Sequence, residues 1–180
     1  MKNWILNLLI CSSLGSLAQA VELKVGDAAP DFKIQTQAGK SFELSSRKGT
    51  WTILYFYPKA ETPGCTKQAC SFRDDIEKIR KLGADVYGIS TDTVEAQAQF
   101  HAHHKLNFEL LADSDGKVTE LFGAKMPMLN MSKRWTFIID PELKIQAIDR
   151  DVDPTLDPKK TATTISNLQE KSKKTTGEKK

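Results

Sequence analysis

The sequence predicts an α/β fold: a mixed central β-sheet flanked by helices, with an N-terminal hairpin. Three observations carry this reading. Residues 50–57 (TWTILYFY) and 85–90 (DVYGIS) are runs of aromatic and β-branched residues, the composition of buried strands. Between them Ala69, Phe72, Ile76, Ile79 and Leu82 recur at three- and four-residue spacing, which is helical. Strand, helix, strand and helix are then followed by a second hairpin and a last helix, an order that suits a mixed sheet.

Each element follows from local chemistry. Residues 21–31 read as an irregular arm. Residues 32–36 and 41–44 flank Gln37-Ala38-Gly39-Lys40 as a hairpin. The strand at 50–57 runs into a loop at 58–64 punctuated by Pro58, Pro63 and Gly64. The helix is expected from Cys65 until Gly83 stops it. After the second strand, Thr91, Asp92 or Thr93 caps a helix to about His104, with Val94, Ala98 and Phe100 facing the core. Residues 108–112 form a third strand. Asp113-Ser114-Asp115-Gly116 makes a turn and cap before a short helix at 118–122. Residues 135–139 and 145–150 flank Asp140-Pro141-Glu142-Leu143 as the second hairpin. Residues 159–170 are expected to form the last helix, and 171–180 a disordered Lys-rich tail.

The chain's 180 residues, 39% hydrophobic and 27% charged, fit one globular domain. Three cysteines are too few for a disulfide-stapled scaffold. Beyond the N-terminus no apolar run reaches the roughly 18 residues that a membrane span needs. The formal charge of +3 makes no case for nucleic acid, and its basic part is local. Residues 159–180 carry net +5, whereas 21–158 carry net −3.

Lys2 opens a short positive segment, residues 4–17 are largely apolar, and Ala18-Gln19-Ala20 fits the small-x-small cleavage rule. Residues 1–20 therefore read as a signal peptide cleaved after Ala20. The mature domain, 21–170, then keeps only Cys65 and Cys70 and works in an oxidising compartment, read as the periplasm.

The most informative segment is Phe56-Tyr57-Pro58-Lys59-Ala60-Glu61-Thr62-Pro63-Gly64-Cys65-Thr66. It puts Cys65 in the first turn of a helix that follows a buried strand. Helix N-termini carry about half a positive charge and unpaired amide donors, both of which favour a thiolate. Gly64 allows close backbone approach, and Thr62 supplies a hydroxyl one turn earlier. An accessible thiolate of this kind is what peroxide oxidises to sulfenic acid.

Pro58-x-x-x-Thr62-x-x-Cys65 resembles the active-site motif of the peroxiredoxins at all its fixed positions. The resemblance extends to residues 29–32 (APDF), 56–74, 111–118 and 134–140. Cys70, five residues after Cys65, matches the bacterioferritin-comigratory-protein, or Q-type, subfamily. The resemblance implies a thioredoxin-like fold and a thiol peroxidase that needs no metal, haem or flavin. It implies hydrogen peroxide and small organic hydroperoxides as substrates, and a thioredoxin-like protein as reductant. It further implies a monomer, although dimers occur in the wider family, with no stable membrane association once the signal is cleaved. By the same resemblance Cys65 is the peroxidatic cysteine and Cys70 the resolving one. Thr62 bonds the thiolate and the attacked oxygen, Pro58 shields the pocket, and Arg134 stabilises thiolate and transition state; Thr62, Gly64, Cys65 and Arg134 together form the substrate site. One departure stands out. Many Q-type members carry Glu three residues after the peroxidatic cysteine, where this chain has Gln68.

Helix geometry constrains the implied Cys65–Cys70 disulfide. Five residues rise about 7.5 Å, which separates the Cα atoms by roughly 8–9 Å. A disulfide wants less than about 7 Å. The pair is therefore expected to bond only if the first helical turns unwind; otherwise Cys70 is simply a buried core cysteine.

Two other functional classes are weighed against this reading. A thiol–disulfide oxidoreductase would normally show Cys-x-x-Cys, which is absent. A copper-binding protein could draw on Met126, Met128 and Met131, but methionines more often fill apolar surface. His101, His103 and His104 cluster at a helix end, where His101 and His104 share a face; no nearby Cys or carboxylate completes a metal-binding set, so they read as a solvated helix end. Leu111 stands where a calcium loop needs its first ligand, so residues 113–116 read as a turn.

Overall fold

The computed structural model describes residues 22–177. The proposed signal segment, residues 1–20, lies outside the described residues. In chain order the elements are β1 (Lys33–Thr36), β2 (Ser41–Glu43), a 3-10 turn (Leu44–Arg47), β3 (Trp51–Phe56), α1 (Pro63–Arg80), β4 (Ala84–Ser90) and α2 (Val94–His103). They continue with β5 (Glu109–Ala112), α3 (Lys117–Leu121), β6 (Trp135–Ile139), β7 (Ile145–Asp149) and α4 (Asp157–Gly177).

The strands form one mixed sheet in the order β2-β1-β5-β4-β3-β6-β7. β3, β4 and β5 are mutually parallel, while β1, β2, β6 and β7 pair antiparallel. β3 shows why both faces must be covered. Ile53, Tyr55 and Tyr57 point to a core shared with Phe72, Ile76 and Ile79 of α1, Phe100 of α2 and Ile165 of α4. The alternate residues, Leu54 and Phe56, point to a second core with Phe32, Val118, Phe122 and Phe137. A two-residue period buried on both sides is what a central strand requires.

Three details differ from the sequence reading. The residues of α2 that are fully buried are Phe100 and Gln97, not Val94 or Ala98. Gln97 is drawn in because Tyr57 and Ser90 need polar partners. α4 begins at Asp157, since Pro158 is tolerated in a first helical turn, where its missing N–H costs nothing. At its other end α4 continues to Gly177, past Glu170: lysine is a good helix former and no breaker intervenes. Among the described residues no helix is long and apolar enough to cross a membrane.

Candidate active site

The site forms where the parallel strands end, the edge at which open α/β sheets place their chemistry. β3 leads into residues 57–62, and this loop is fastened from below. The Tyr57 hydroxyl donates to Gln97 Oε1. Gln97 Nε2 donates to Ser90 Oγ at 2.8 Å and to the Leu111 carbonyl at 3.1 Å. Ser90 Oγ donates to Asp92 Oδ2 at 2.7 Å, and the same oxygen accepts the Ala60 amide at 2.8 Å. This network joins the ends of β3, β4 and β5 under the loop. Burial pushes the Tyr57 phenol far above its ordinary value, so it remains a neutral donor.

Thr62 is the N-cap residue of α1, and Cys65 is the third helical residue. The Thr62 hydroxyl does not cap the helix; it donates to the Lys59 carbonyl at 2.9 Å. The positive end of α1 is therefore left without a side-chain acceptor beside Cys65. The Cys65 residue is only 1% exposed, more enclosed than an accessible thiol was expected to be, because α1 packs it against Tyr57 and Ala60. Pro58 is half-buried at the start of the loop.

Arg134 arrives from the other side of β3. β6 runs antiparallel to β3, with Trp135 opposite Phe56, so the residue before β6 stands at the strand end that launches α1. The guanidinium forks: Nη2 donates to Cys65 Sγ at 3.4 Å and Nη1 to Gln68 Oε1 at 2.5 Å. Gly64 makes room for it, since a Cβ there would lie 3.2 Å from Arg134 Nη2. A fixed cation and a helix N-terminus thus meet at one sulfur, an arrangement suited to a thiolate and to negative charge developing on a departing oxygen.

Gln68 continues the chain of contacts. It is fully buried, and its Nε2 donates to Asp157 Oδ2 at 2.7 Å. Asp157 also accepts from Thr136 Oγ1 at 2.8 Å and Thr161 Oγ1 at 3.3 Å. Burial raises the Asp157 carboxyl above its ordinary range, and these three hydrogen bonds oppose the rise. The negative charge that Gln68 lacks is thus supplied one step further away, from the first residue of α4. Sequence reasoning missed Asp157, Thr136 and Thr161. An Asp-Pro pair at a helix start reads as a boundary and says nothing of a partner 89 positions away.

The structure brings Cys65, Gly64 and Arg134 together and places Thr62 one turn away. Cys70 is half-buried further along the same unbroken helix, and both cysteines are free thiols. Trp135 faces away from the site, between Lys133 Nζ at 4.6 Å and Arg150 Cζ at 4.9 Å from its ring centroid. Met128 is fully exposed, in a loop tied to Thr91 and Ser114 through Asn130.

Comparison with known proteins agrees with this geometry. Residues 25–148 match the AhpC/TSA family model. The chain is 43% identical over 135 residues to peroxiredoxin Bcp of Escherichia coli, covering 72% of this chain and 86% of that protein. It is 43% identical over 124 residues to the chloroplastic peroxiredoxin Q of Oryza sativa subsp. japonica, covering 68% of this chain and 57% of the relative. Among solved structures, peroxidoxin BcpB of Mycobacterium tuberculosis superposes with a TM-score of 0.77 at 35% identity, covering 82% of this chain and 99% of that one. A β3–α1 junction presenting a cysteine to an arginine, on a thioredoxin-like sheet and in a chain with these relatives, places the protein in the AhpC/TSA family as a peroxiredoxin of the bacterioferritin-comigratory-protein, or Q, type.

Proposed function

We propose that the protein is an exported peroxidase that reduces hydrogen peroxide and small organic hydroperoxides through Cys65. The observation that carries this reading is the Cys65 sulfur in the first turn of α1, with Arg134 Nη2 3.4 Å away. The thiolate attacks one peroxide oxygen; the S–O bond forms as the O–O bond breaks. The other oxygen leaves as alkoxide or hydroxide and takes a proton from water, and Cys65 becomes a sulfenic acid. Arg134 stabilises the charge on the departing oxygen. Thr62 turns its hydroxyl from the Lys59 carbonyl toward the reacting oxygen, Pro58 limits water, and Gly64 keeps the approach open.

The Cys70 thiolate then attacks the Cys65 sulfur. An S–S bond forms, hydroxide leaves and is protonated to water. The unbroken helix keeps the two cysteines from meeting, so the first turns of α1 unwind for this step. A thioredoxin-like dithiol protein returns both thiols by exchange. Residues 1–20 direct export to the periplasm, so the reductant lies outside the cytosolic pool.

The test is peroxide consumption by the purified protein with dithiothreitol as reductant. Wild type turns over, whereas Cys65→Ser does not; equal consumption by the two proteins would end the proposal. N-terminal sequencing of the protein from a periplasmic extract tests export, with Val21 as the expected first residue.

A further inference from the structure

The loop that precedes Cys65 is fastened by a second set of side chains that the peroxidase chemistry does not use. Glu61 lies between Pro58 and Cys65, at a left-handed φ of 61°. Its carboxylate reaches the end of α2. Oε1 and Oε2 lie 3.1 and 3.3 Å from His103 Nδ1, and Oε2 lies 3.0 Å from His104 Nε2. The two imidazole ring centroids are 4.4 Å apart, with the ring planes tilted by 34°. One nitrogen from each histidine and one carboxylate oxygen all fall within 4.8 Å of one another.

We propose that Glu61, His103 and His104 form a binding site for a zinc-class divalent cation, which clamps the active-site loop to α2. Two imidazoles and one carboxylate are the donor set of open zinc sites, in which water takes the fourth position. Ligands about 2.0–2.1 Å from a tetrahedral zinc stand about 3.3 Å from each other, and the carboxylate-to-imidazole spacings here already match that edge. His103 is well exposed and Glu61 about half so, which leaves solvent access for the fourth ligand. The histidine pair identified is His103 with His104, not the same-face pair His101 with His104. The carboxylate that completes the set comes from 42 positions away.

The clamp has a consequence that rests on the proposed Cys65–Cys70 disulfide step. That step needs the loop and the first turns of α1 to open. The loop is already held at Ala60 by Asp92, next to the start of α2. A cation joining Glu61 to the other end of α2 would hold it at a second point and slow the disulfide step.

The experiment has two arms. In the first, zinc binding is measured by equilibrium dialysis on the Cys65→Ser/Cys70→Ser protein, which removes thiolate ligands. One equivalent should bind, and Glu61→Gln or His103→Ala should weaken it more than about tenfold, given that loss of even an outer-shell partner costs about 10–100-fold. His101→Ala should leave it unchanged. No stoichiometric zinc, or equal binding after Glu61→Gln, overturns the site. In the second arm, disulfide formation after one equivalent of hydrogen peroxide is timed in wild type and Glu61→Gln, with and without zinc. Slowing by zinc in wild type alone supports the clamp; slowing in both proteins, or in neither, overturns it. If no disulfide forms without zinc, the peroxidase cycle fails, and the dialysis arm still decides the site.

Discussion

The most informative perturbation at the site is Gln68→Glu, because it places two carboxylates where the structure has an amide and a carboxylate 2.7 Å apart. The new side chain can still accept from Arg134, but its second oxygen then meets Asp157 Oδ2. At that spacing two unit charges repel by about 6 kcal/mol at an effective dielectric of about 20. Keeping a proton on one carboxyl at pH 7 costs less, about 3.7 kcal/mol for an ordinary glutamate. The pair therefore holds a shared proton, and the fold bears that cost. Burial already raises the Asp157 carboxyl and Arg134 attracts the new carboxylate, so the penalty stays below about 3.7 kcal/mol, or a fall in Tm of less than about 15 °C for a domain of this size. At pH 4 the proton is present in folded and unfolded chains alike, so the difference should nearly vanish. Gln68→Glu combined with Asp157→Asn restores an amide facing a carboxylate and should recover most of the loss. Urea denaturation at pH 4 and pH 7 measures all of this. If Gln68→Glu is as stable as wild type at pH 7, or if Asp157→Asn brings no recovery, the Gln68–Asp157 contact does not govern the site.

Other substitutions probe different contacts. Arg134→Ala removes the cation from Cys65 and should slow the reaction with peroxide by about 10²–10³-fold, the usual cost of one donor to developing negative charge. Arg134→Lys should recover only part, since an ammonium cannot fork to both Cys65 and Gln68; stopped-flow rates under single-turnover conditions separate the three proteins. Because the folded Asp157 carboxyl is raised, its contribution to stability is fully present below its unfolded value of about 3.9 and is lost as pH rises through the folded value. Asp157→Asn should therefore lose stability relative to wild type at acid pH and regain ground toward neutrality; a pH-independent difference in urea denaturation would contradict the assignment. Gly64→Ala puts a methyl 3.2 Å from Arg134 Nη2 and should slow the peroxide reaction several-fold with little change in Tm. An unchanged rate would mean that Arg134 has room to spare.

What the sequence disclosed depended on how local each signal was. β3 and α1 are long, periodic and strongly apolar, so strand, loop and helix could be read with only a two-residue shift at the start of α1. The position of Cys65 in a first helical turn followed from them. Arg134 was legible only through resemblance, since nothing local shows that β6 pairs antiparallel with β3 and brings its first end to the site. Gln97 was hidden because a polar residue on an apolar helix face looks like a solvent position until Tyr57 and Ser90 are seen beneath it. Asp157 and Glu61 were hidden for the same reason. Each acts across a long stretch of chain, and hydrogen-bond partners at that separation leave no periodicity to detect. The sequence places the start of α4 two residues late, because a proline reads as a helix boundary whereas the first helical turn accommodates Pro158.

The central claim is that Cys65 reacts with peroxide and Cys70 captures the product. The most direct test is intact mass and free-thiol count after one equivalent of hydrogen peroxide is added to the reduced protein, beside Cys65→Ser and Cys70→Ser. The account predicts that wild type rapidly loses both thiols and a mass of two hydrogens. Cys65→Ser should be inert, and Cys70→Ser should stop at a sulfenic acid or a more oxidised sulfur. A wild-type protein that keeps both thiols as long as free cysteine does, or a Cys70→Ser protein that still closes an intramolecular disulfide, would contradict it.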